Sequence, residues 1–189
     1  MLSRRSLLSA VTLLALPFPV LAQESGFVVD WEGEPVDPKI AARLVQQIAM
    51  VRALPIDPEI IAFWSRQPIF LARPGISSRE GPRGVFFTRG QFPSDNPELL
   101  HELCHRFQRF RLPDGFRNAT VAAAFEAAVK AGHYPPQAYL YTNPSEFFAM
   151  TASCVLHGRT QRPPFSRAEV FRQMPEYHNW IVQLFGLRL

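Results

Sequence analysis

The sequence predicts an α+β fold in a single domain. Short apolar segments of strand character fall before residue 91, and long helical segments follow them. No repeat or low-complexity tract divides the chain. Its 189 residues are enough for one domain with its own hydrophobic core and too few for two.

The first 22 residues resemble a secretory signal peptide. Arg4 and Arg5 precede an apolar run over about residues 7–16, and small residues follow it. This run is shorter than the roughly 20 apolar residues of a membrane-spanning helix. We therefore expect residues 1–22 to be removed, leaving a periplasmic or secreted domain, residues 23–189, without stable membrane insertion. The paired arginines also resemble a twin-arginine export signal, and the general secretory route is the alternative.

The net charge of +4 would fall to about +2 without the two leader arginines, which does not indicate nucleic acid binding. Four arginines are clustered between residues 106 and 117. They form either a solvated surface, which the pattern favours, or a contact for an anionic substrate. The four are Arg106, Arg109, Arg111 and Arg117. The sequence does not indicate an oligomeric state.

The chain has two cysteines, Cys104 and Cys154. Exported compartments are oxidising, so one interpretation is a disulfide between them. Two buried free thiols are the alternative.

The first half of the chain alternates short strands and helices. Ile40, Leu44, Ile48 and Val51 would share one side of a helix that begins after Asp37. Glycine and arginine dominate residues 73–83, which are predicted to be a loop. The predicted strands are residues 26–31, 68–73 and 84–90, and the predicted helices are residues 37–54 and 57–67.

The second half is helical. Asn96 is the expected N-cap of a helix from Pro97 to about Phe110. Alanine-rich residues 119–131 form the next helix, residues 133–143 a loop, and residues 144–157 a helix opened by Asn143 and closed by a glycine. Residues 166–186 are helical, with a break or kink at Pro175.

The sequence "HELCH", residues 101–105, places two histidines on one helix face. Residues i and i+4 of a helix are neighbours, so His101 and His105 can direct imidazole nitrogens to one point. Glu102 lies beside that point, where a carboxylate can take a proton from water. This is the HExxH pattern of zinc hydrolases. The alternative is a helix with two partly exposed histidines and a surface glutamate.

A hydrolytic zinc site needs three protein ligands and one open position. A third histidine on the same helix is absent, because Arg111 stands where it would be. Glu146 is the leading candidate, since it lies in the first turn of a later helix, where a carboxylate is stabilised in its charged form. Otherwise Glu146 is a surface residue that compensates the helix dipole.

The stretch "YLYTNPSEFFAMTA", residues 139–152, resembles the anthrax lethal factor-like metallopeptidases, a gluzincin family. In that family an HExxH helix is followed by a tyrosine, a Thr-Asn pair and a Glu-Phe-Phe-Ala run. The resemblance covers roughly residues 84–185. It implies a zincin-like metallopeptidase domain with a small mixed sheet, an HExxH active-site helix and a helical C-terminal half.

The resemblance also implies residue roles: His101, His105 and Glu146 as ligands of one Zn²⁺ ion, Glu102 as catalytic base, and Tyr139 as catalytic tyrosine. Tyr141 is the other tyrosine candidate, but its spacing from the ligand glutamate differs. Met150 stands where the family commonly has an acidic residue.

These features predict an exported zinc endopeptidase that acts on a peptide or protein substrate. Glu102 would activate the attacking water, and Tyr139 would stabilise the oxyanion. The resemblance further implies that residues 84–90 form an edge strand that pairs with an extended substrate. The alternative function is a non-catalytic envelope binding domain with a structural zinc site, which needs neither Glu102 nor Tyr139.

Overall fold

The computed structural model describes residues 26–33, 35 and 37–189. The predicted signal peptide lies outside the described residues. Within these residues, no helix is long and apolar enough to cross a membrane. The elements are β1 (Val29–Asp30), α1 (Pro38–Arg52), α2 (Pro58–Ser65), β2 (Ile69–Leu71), β3 (Arg79–Gly81), β4 (Gly84–Phe87), α3 (Glu98–Arg111), α4 (Ala119–Ala131), α5 (Pro144–His157), α6 (Arg167–Gln173) and α7 (Pro175–Phe185), with 3₁₀ turns at Gly115–Arg117 and Tyr139–Tyr141.

The four strands form one mixed sheet in the order β1-β2-β4-β3. β1 pairs parallel with β2, and β2 pairs parallel with β4. β3 runs antiparallel to β4, with Glu80 opposite Val85. The strands lie in the first half of the described chain and the helices dominate the second half, so the predicted α+β class with a small mixed sheet is confirmed.

The predicted substrate-pairing strand is not at the edge of the sheet. β4 lies between β2 and β3 and is hydrogen-bonded on both sides. The edge strand next to β4 is β3, whose residues fall within the predicted loop 73–83. The sequence pattern did not predict this strand, because β3 has only three residues and no apolar alternation. A short turn after β3 lets β4 pair with it in the antiparallel direction. Gly84 begins β4 where a Cβ atom would clash with the Pro68 carbonyl.

The helices of the first half form as predicted. Asp37 accepts a hydrogen bond from the Lys39 amide, and a proline occupies the first helical position of α1. The predicted apolar face of α1 is buried in the core, with Leu44, Ile48 and Val51 at most 1% exposed. α2 begins in the same way after Asp57.

α3 begins one residue later than predicted, and Asn96 does not cap it. Its N-cap is Pro97, which has no side-chain capping bond. Instead Gln47, on α1, accepts a hydrogen bond from the Leu99 amide at 3.1 Å and donates one to the Asn96 carbonyl at 2.9 Å. Gln47 is 1% exposed, so a buried amide from another helix satisfies the first turn of α3.

α5 confirms the predicted Asn-Pro opening. Asn143 accepts a hydrogen bond from the Glu146 amide at 2.9 Å, Pro144 is the first helical residue, and Gly158 ends the helix in a left-handed conformation. α5 packs chiefly against α3, and ten of its fourteen residues are buried. The two helices that carry the candidate site are therefore fixed against each other by the core.

The tail breaks at Pro175 into α6 and α7. Its aromatic residues close the core, where Phe185 stacks at a tilt on Phe107 with ring centroids 4.6 Å apart. Cys104 and Cys154 are both buried free thiols. The structure therefore supports two free thiols and not the disulfide between them.

We expect Gln47→Met to lower the free energy of unfolding by about 1–3 kcal/mol, because it leaves the buried Leu99 amide without an acceptor. Gln46→Met is the matched control, since Gln46 is exposed on the same helix, and should change stability by less than about 0.5 kcal/mol. Urea unfolding of both variants measures the difference. Equal stabilities would show that Gln47 does not support the first turn of α3.

Candidate active site

Helices α3 and α5 bring three of the predicted site residues together. His101 Nε2 lies 3.1 Å from Glu146 Oε2, and His105 Nε2 lies 3.4 Å from the same oxygen. The two Nε2 atoms are 3.2 Å apart. Glu146 reaches them because it stands in the first turn of α5, beside the middle of α3. The proposed ligand atoms thus form a nearly equilateral triangle.

This triangle fits a zinc ion. Bonds of about 2.0–2.1 Å in a tetrahedral site place neighbouring ligand atoms about 3.3 Å apart, which is close to all three observed distances. Two neutral imidazoles that direct lone pairs at each other and at a carboxylate repel, whereas a shared cation makes the same arrangement favourable. His101, His105 and Glu146 therefore have the chemistry and the spacing to hold one Zn²⁺ ion and leave a fourth position open.

Glu102 lies beside the triangle and not on the surface, which contradicts the alternative of an ordinary exposed glutamate. Its side chain is 5% exposed. One of its carboxylate oxygens lies within 4.8 Å of a ring nitrogen of His101 and of a ring nitrogen of His105. Burial raises the pKa of Glu102 to about 7, against the opposing effect of His101. The backbone amide of Glu80, in the edge strand, donates a hydrogen bond to this carboxylate. A carboxylate with this pKa is suited to accept and return a proton near neutral pH.

Glu146 has the opposite character. Burial alone would raise its pKa, but the interactions with His101 and His105 outweigh burial and hold the pKa well below its usual range. Burial lowers the pKa of His105, while for His101 the interactions with Glu146 and Glu102 overcome burial and raise the pKa. The two carboxylates of the site thus have pKa values shifted in opposite directions, so Glu146 stays charged where Glu102 can hold a proton near neutral pH.

The two candidate tyrosines lie in different surroundings. The ring of Tyr139 is 6.3 Å from the ring of His101, and its side chain is 41% exposed at the site. Burial and the charge of Glu146 raise its pKa to about 12, so its hydroxyl stays protonated and able to donate. The Tyr141 hydroxyl instead donates to the Ala128 carbonyl at 2.9 Å. The structure brings Tyr139, and not Tyr141, to the triangle formed by His101, His105 and Glu146.

A groove passes the triangle on both sides. Two cavities of about 560 Å³ and 520 Å³ meet here and share Ser78, Glu102 and Tyr139 as lining residues. One extends past Met150 toward the N-terminal turn of α3, and the other extends past Phe116 toward β3. An extended chain laid along the groove would pass the candidate site with residues on either side.

The arginine cluster is not a uniform solvated surface. Arg106 is 5% exposed and donates to the Glu80 carboxylate at 2.9 Å, to the Gly81 carbonyl at 2.8 Å and to Gln67. Arg109 also donates to Glu80, at 2.8 Å. These bonds fasten the edge strand β3 to α3. They hold the Glu80 amide against Glu102, so Arg106 is a structural residue and is not available to an anionic substrate.

The sequence analysis missed two polar residues behind His105. Ser145 is hydrogen-bonded to the His105 ring and donates a hydrogen bond to Gln108. One signal was available, because Gln108 falls seven residues after His101 and three after His105, on the same face of the helix. Ser145 gave no signal, because only the packing of α5 on α3 places it there.

The mixed sheet, the HExxH helix and the helical second half together form the α+β architecture that the sequence predicts. A solved structure with this architecture is that of the Pro-Pro endopeptidase from Paenibacillus alvei, with a TM-score of 0.59 over 87% of this chain and 100% of that chain. Sequence identity is 18%, so the likeness is one of fold. No protein-family profile and no curated protein matches the chain.

Proposed function

We propose that this chain is an exported zinc-dependent endopeptidase of the gluzincin type. The observation that carries the proposal is the triangle of His101 Nε2, His105 Nε2 and Glu146 Oε2 with the buried Glu102 carboxylate beside it. The fold shared with a Pro-Pro endopeptidase supports a peptidase role. The resemblance of residues 139–152 to the anthrax lethal factor-like family supports the gluzincin assignment.

In the proposed mechanism, His101, His105 and Glu146 would hold a zinc ion, which would supply a Lewis acid for peptide hydrolysis. Glu102 takes a proton from the attacking water, because its carboxylate is buried beside the triangle. Tyr139 donates a hydrogen bond to the oxygen that becomes negatively charged. Glu102 then returns the proton to the leaving amine, and the groove aligns the peptide on both sides of the scissile bond.

Export and domain organisation are part of the proposal. They are supported by the charged and apolar pattern of residues 1–22, and residues 23–189 would form the single mature domain. The substrate is proposed to be a peptide or protein. Because the structural neighbour is a Pro-Pro endopeptidase, a first peptide library should include Pro-Pro sequences beside randomised ones.

Glu102→Gln tests the proposed reaction. We expect peptide cleavage to fall by roughly 100- to 10,000-fold, while the zinc content stays at the wild-type value, because the variant loses the base and keeps the three ligands. Zinc analysis and cleavage of the library are measured together. Glu126→Gln, on an exposed position of α4, is the control and should leave both unchanged.

Two outcomes would contradict the proposed endopeptidase activity. Undiminished cleavage by Glu102→Gln would remove the proposed base. A wild-type protein that holds zinc but cleaves no peptide would favour a structural zinc site in an envelope binding domain. In that case Glu102 and Tyr139 would have no role.

Tyr139→Phe tests the oxyanion role. One such donor contributes about 3 kcal/mol to transition-state stabilisation, so kcat should fall roughly 100-fold with little change in KM. Tyr141→Phe removes a hydroxyl two residues away that bonds to the Ala128 carbonyl, and should leave kcat unchanged. Steady-state kinetics of both variants decide. A normal kcat for Tyr139→Phe, or a loss confined to Tyr141→Phe, would overturn the assignment.

A further inference from the structure

A short chain of hydrogen bonds leads away from His105 into the core. His105 Nδ1 is 2.9 Å from Ser145 Oγ, and Ser145 Oγ donates to Gln108 Oε1 at 3.0 Å. Ser145 precedes Glu146 on α5, and Gln108 follows His105 by one turn on α3. The chain thus joins the same two helices as the proposed metal ligands, on the opposite side of the His105 ring.

We propose that Ser145 and Gln108 are positioning residues that fix the tautomer of His105 and so raise the affinity of the site for zinc. The proposal rests on the proposed function. A serine hydroxyl has one proton, and here that proton goes to the Gln108 carbonyl oxygen, which can only accept. Ser145 Oγ can then only accept from His105, so the ring proton lies on Nδ1. The Nε2 lone pair is left directed at His101 and Glu146, as a zinc ligand requires.

The direction of the chain is essential. If Gln108 presented its amide NH₂ group to Ser145, the hydroxyl would donate to Nδ1 and the ring proton would lie on Nε2, where it blocks coordination. Gln108 is fully buried, and its Nε2 has no hydrogen-bond partner among the described residues. An unpaired buried amide costs stability. Because the orientation persists at that cost, the acceptor oxygen of Gln108 is the group that the site uses.

The hydrogen bonds through Ser145 and Gln108 also support a ligand histidine, a role that an acidic residue at position 150 would otherwise fill. The resemblance implies an acidic residue there. Met150 lines the groove instead, and its thioether is only a weak acceptor for an imidazole N–H. In the described part of the chain, His101 Nδ1 has no hydrogen-bond partner. His105 is therefore the one ligand histidine with an observed support, and that support comes from neutral side chains in place of a carboxylate.

The test is the zinc affinity of the full-length protein, measured by competition with a chelator of known affinity. Ser145→Ala and Gln108→Met should each bind Zn²⁺ roughly 10- to 100-fold more weakly than the wild type. Ser145→Thr keeps the hydroxyl, and Gln108→Glu keeps an acceptor that cannot donate when charged, so both should keep the affinity within a few-fold of the wild type. Thr151→Val removes another buried hydroxyl of α5, one that bonds to the Phe147 carbonyl, and should bind zinc normally.

The outcomes separate this inference from the proposed function. Wild-type affinity in Ser145→Ala and Gln108→Met, in variants with native circular dichroism, would overturn the positioning role and leave the zinc peptidase intact. Weakened binding in Gln108→Glu equal to that in Gln108→Met would overturn the proposed direction of the chain. A wild type that binds no Zn²⁺ would overturn both the proposed function and the inference.

Discussion

The organisation of this protein depends on three side-chain atoms from two helices that meet within 3.4 Å of one another. Such a meeting of two imidazoles and a carboxylate requires α3 and α5 to hold a fixed distance and rotation. The packing of α5 on α3 supplies this, together with support for each helix start: Gln47 at α3 and Asn143 at α5. The packing of the core therefore sets the geometry of the site. A shift of either helix would separate the two imidazole nitrogens from the Glu146 carboxylate.

The same packing gives the two carboxylates opposite properties. Glu146 faces both histidines and stays charged, whereas Glu102 is buried with fewer compensating contacts and has a pKa near 7. The amide of Glu80 fixes the Glu102 carboxylate, and Arg106 fixes the strand that carries Glu80. The proposed ligand and the proposed base are thus the same residue type, and they differ because of where the helices and the edge strand place them.

Local patterns predicted much of this arrangement. The four-residue spacing of His101 and His105 and the Asn-Pro opening of α5 depend on near neighbours in sequence, so they could be read directly. The rest depends on long-range packing. The edge position of β3 follows from the pairing order of the strands, the burial of Arg106 follows from Glu80, and the support of α3 comes from a glutamine about 50 residues earlier. None of these is visible in a local pattern.

The most direct test of the account is X-ray absorption at the zinc edge for protein loaded with one equivalent of Zn²⁺. We expect a four-coordinate site with two imidazole nitrogens and oxygen ligands, all at about 2.0–2.2 Å, and no sulfur. A sulfur shell at about 2.3 Å would place Cys104 or Cys154 on the metal and contradict the proposed ligand set. Failure to retain a stoichiometric ion would contradict the metal site itself.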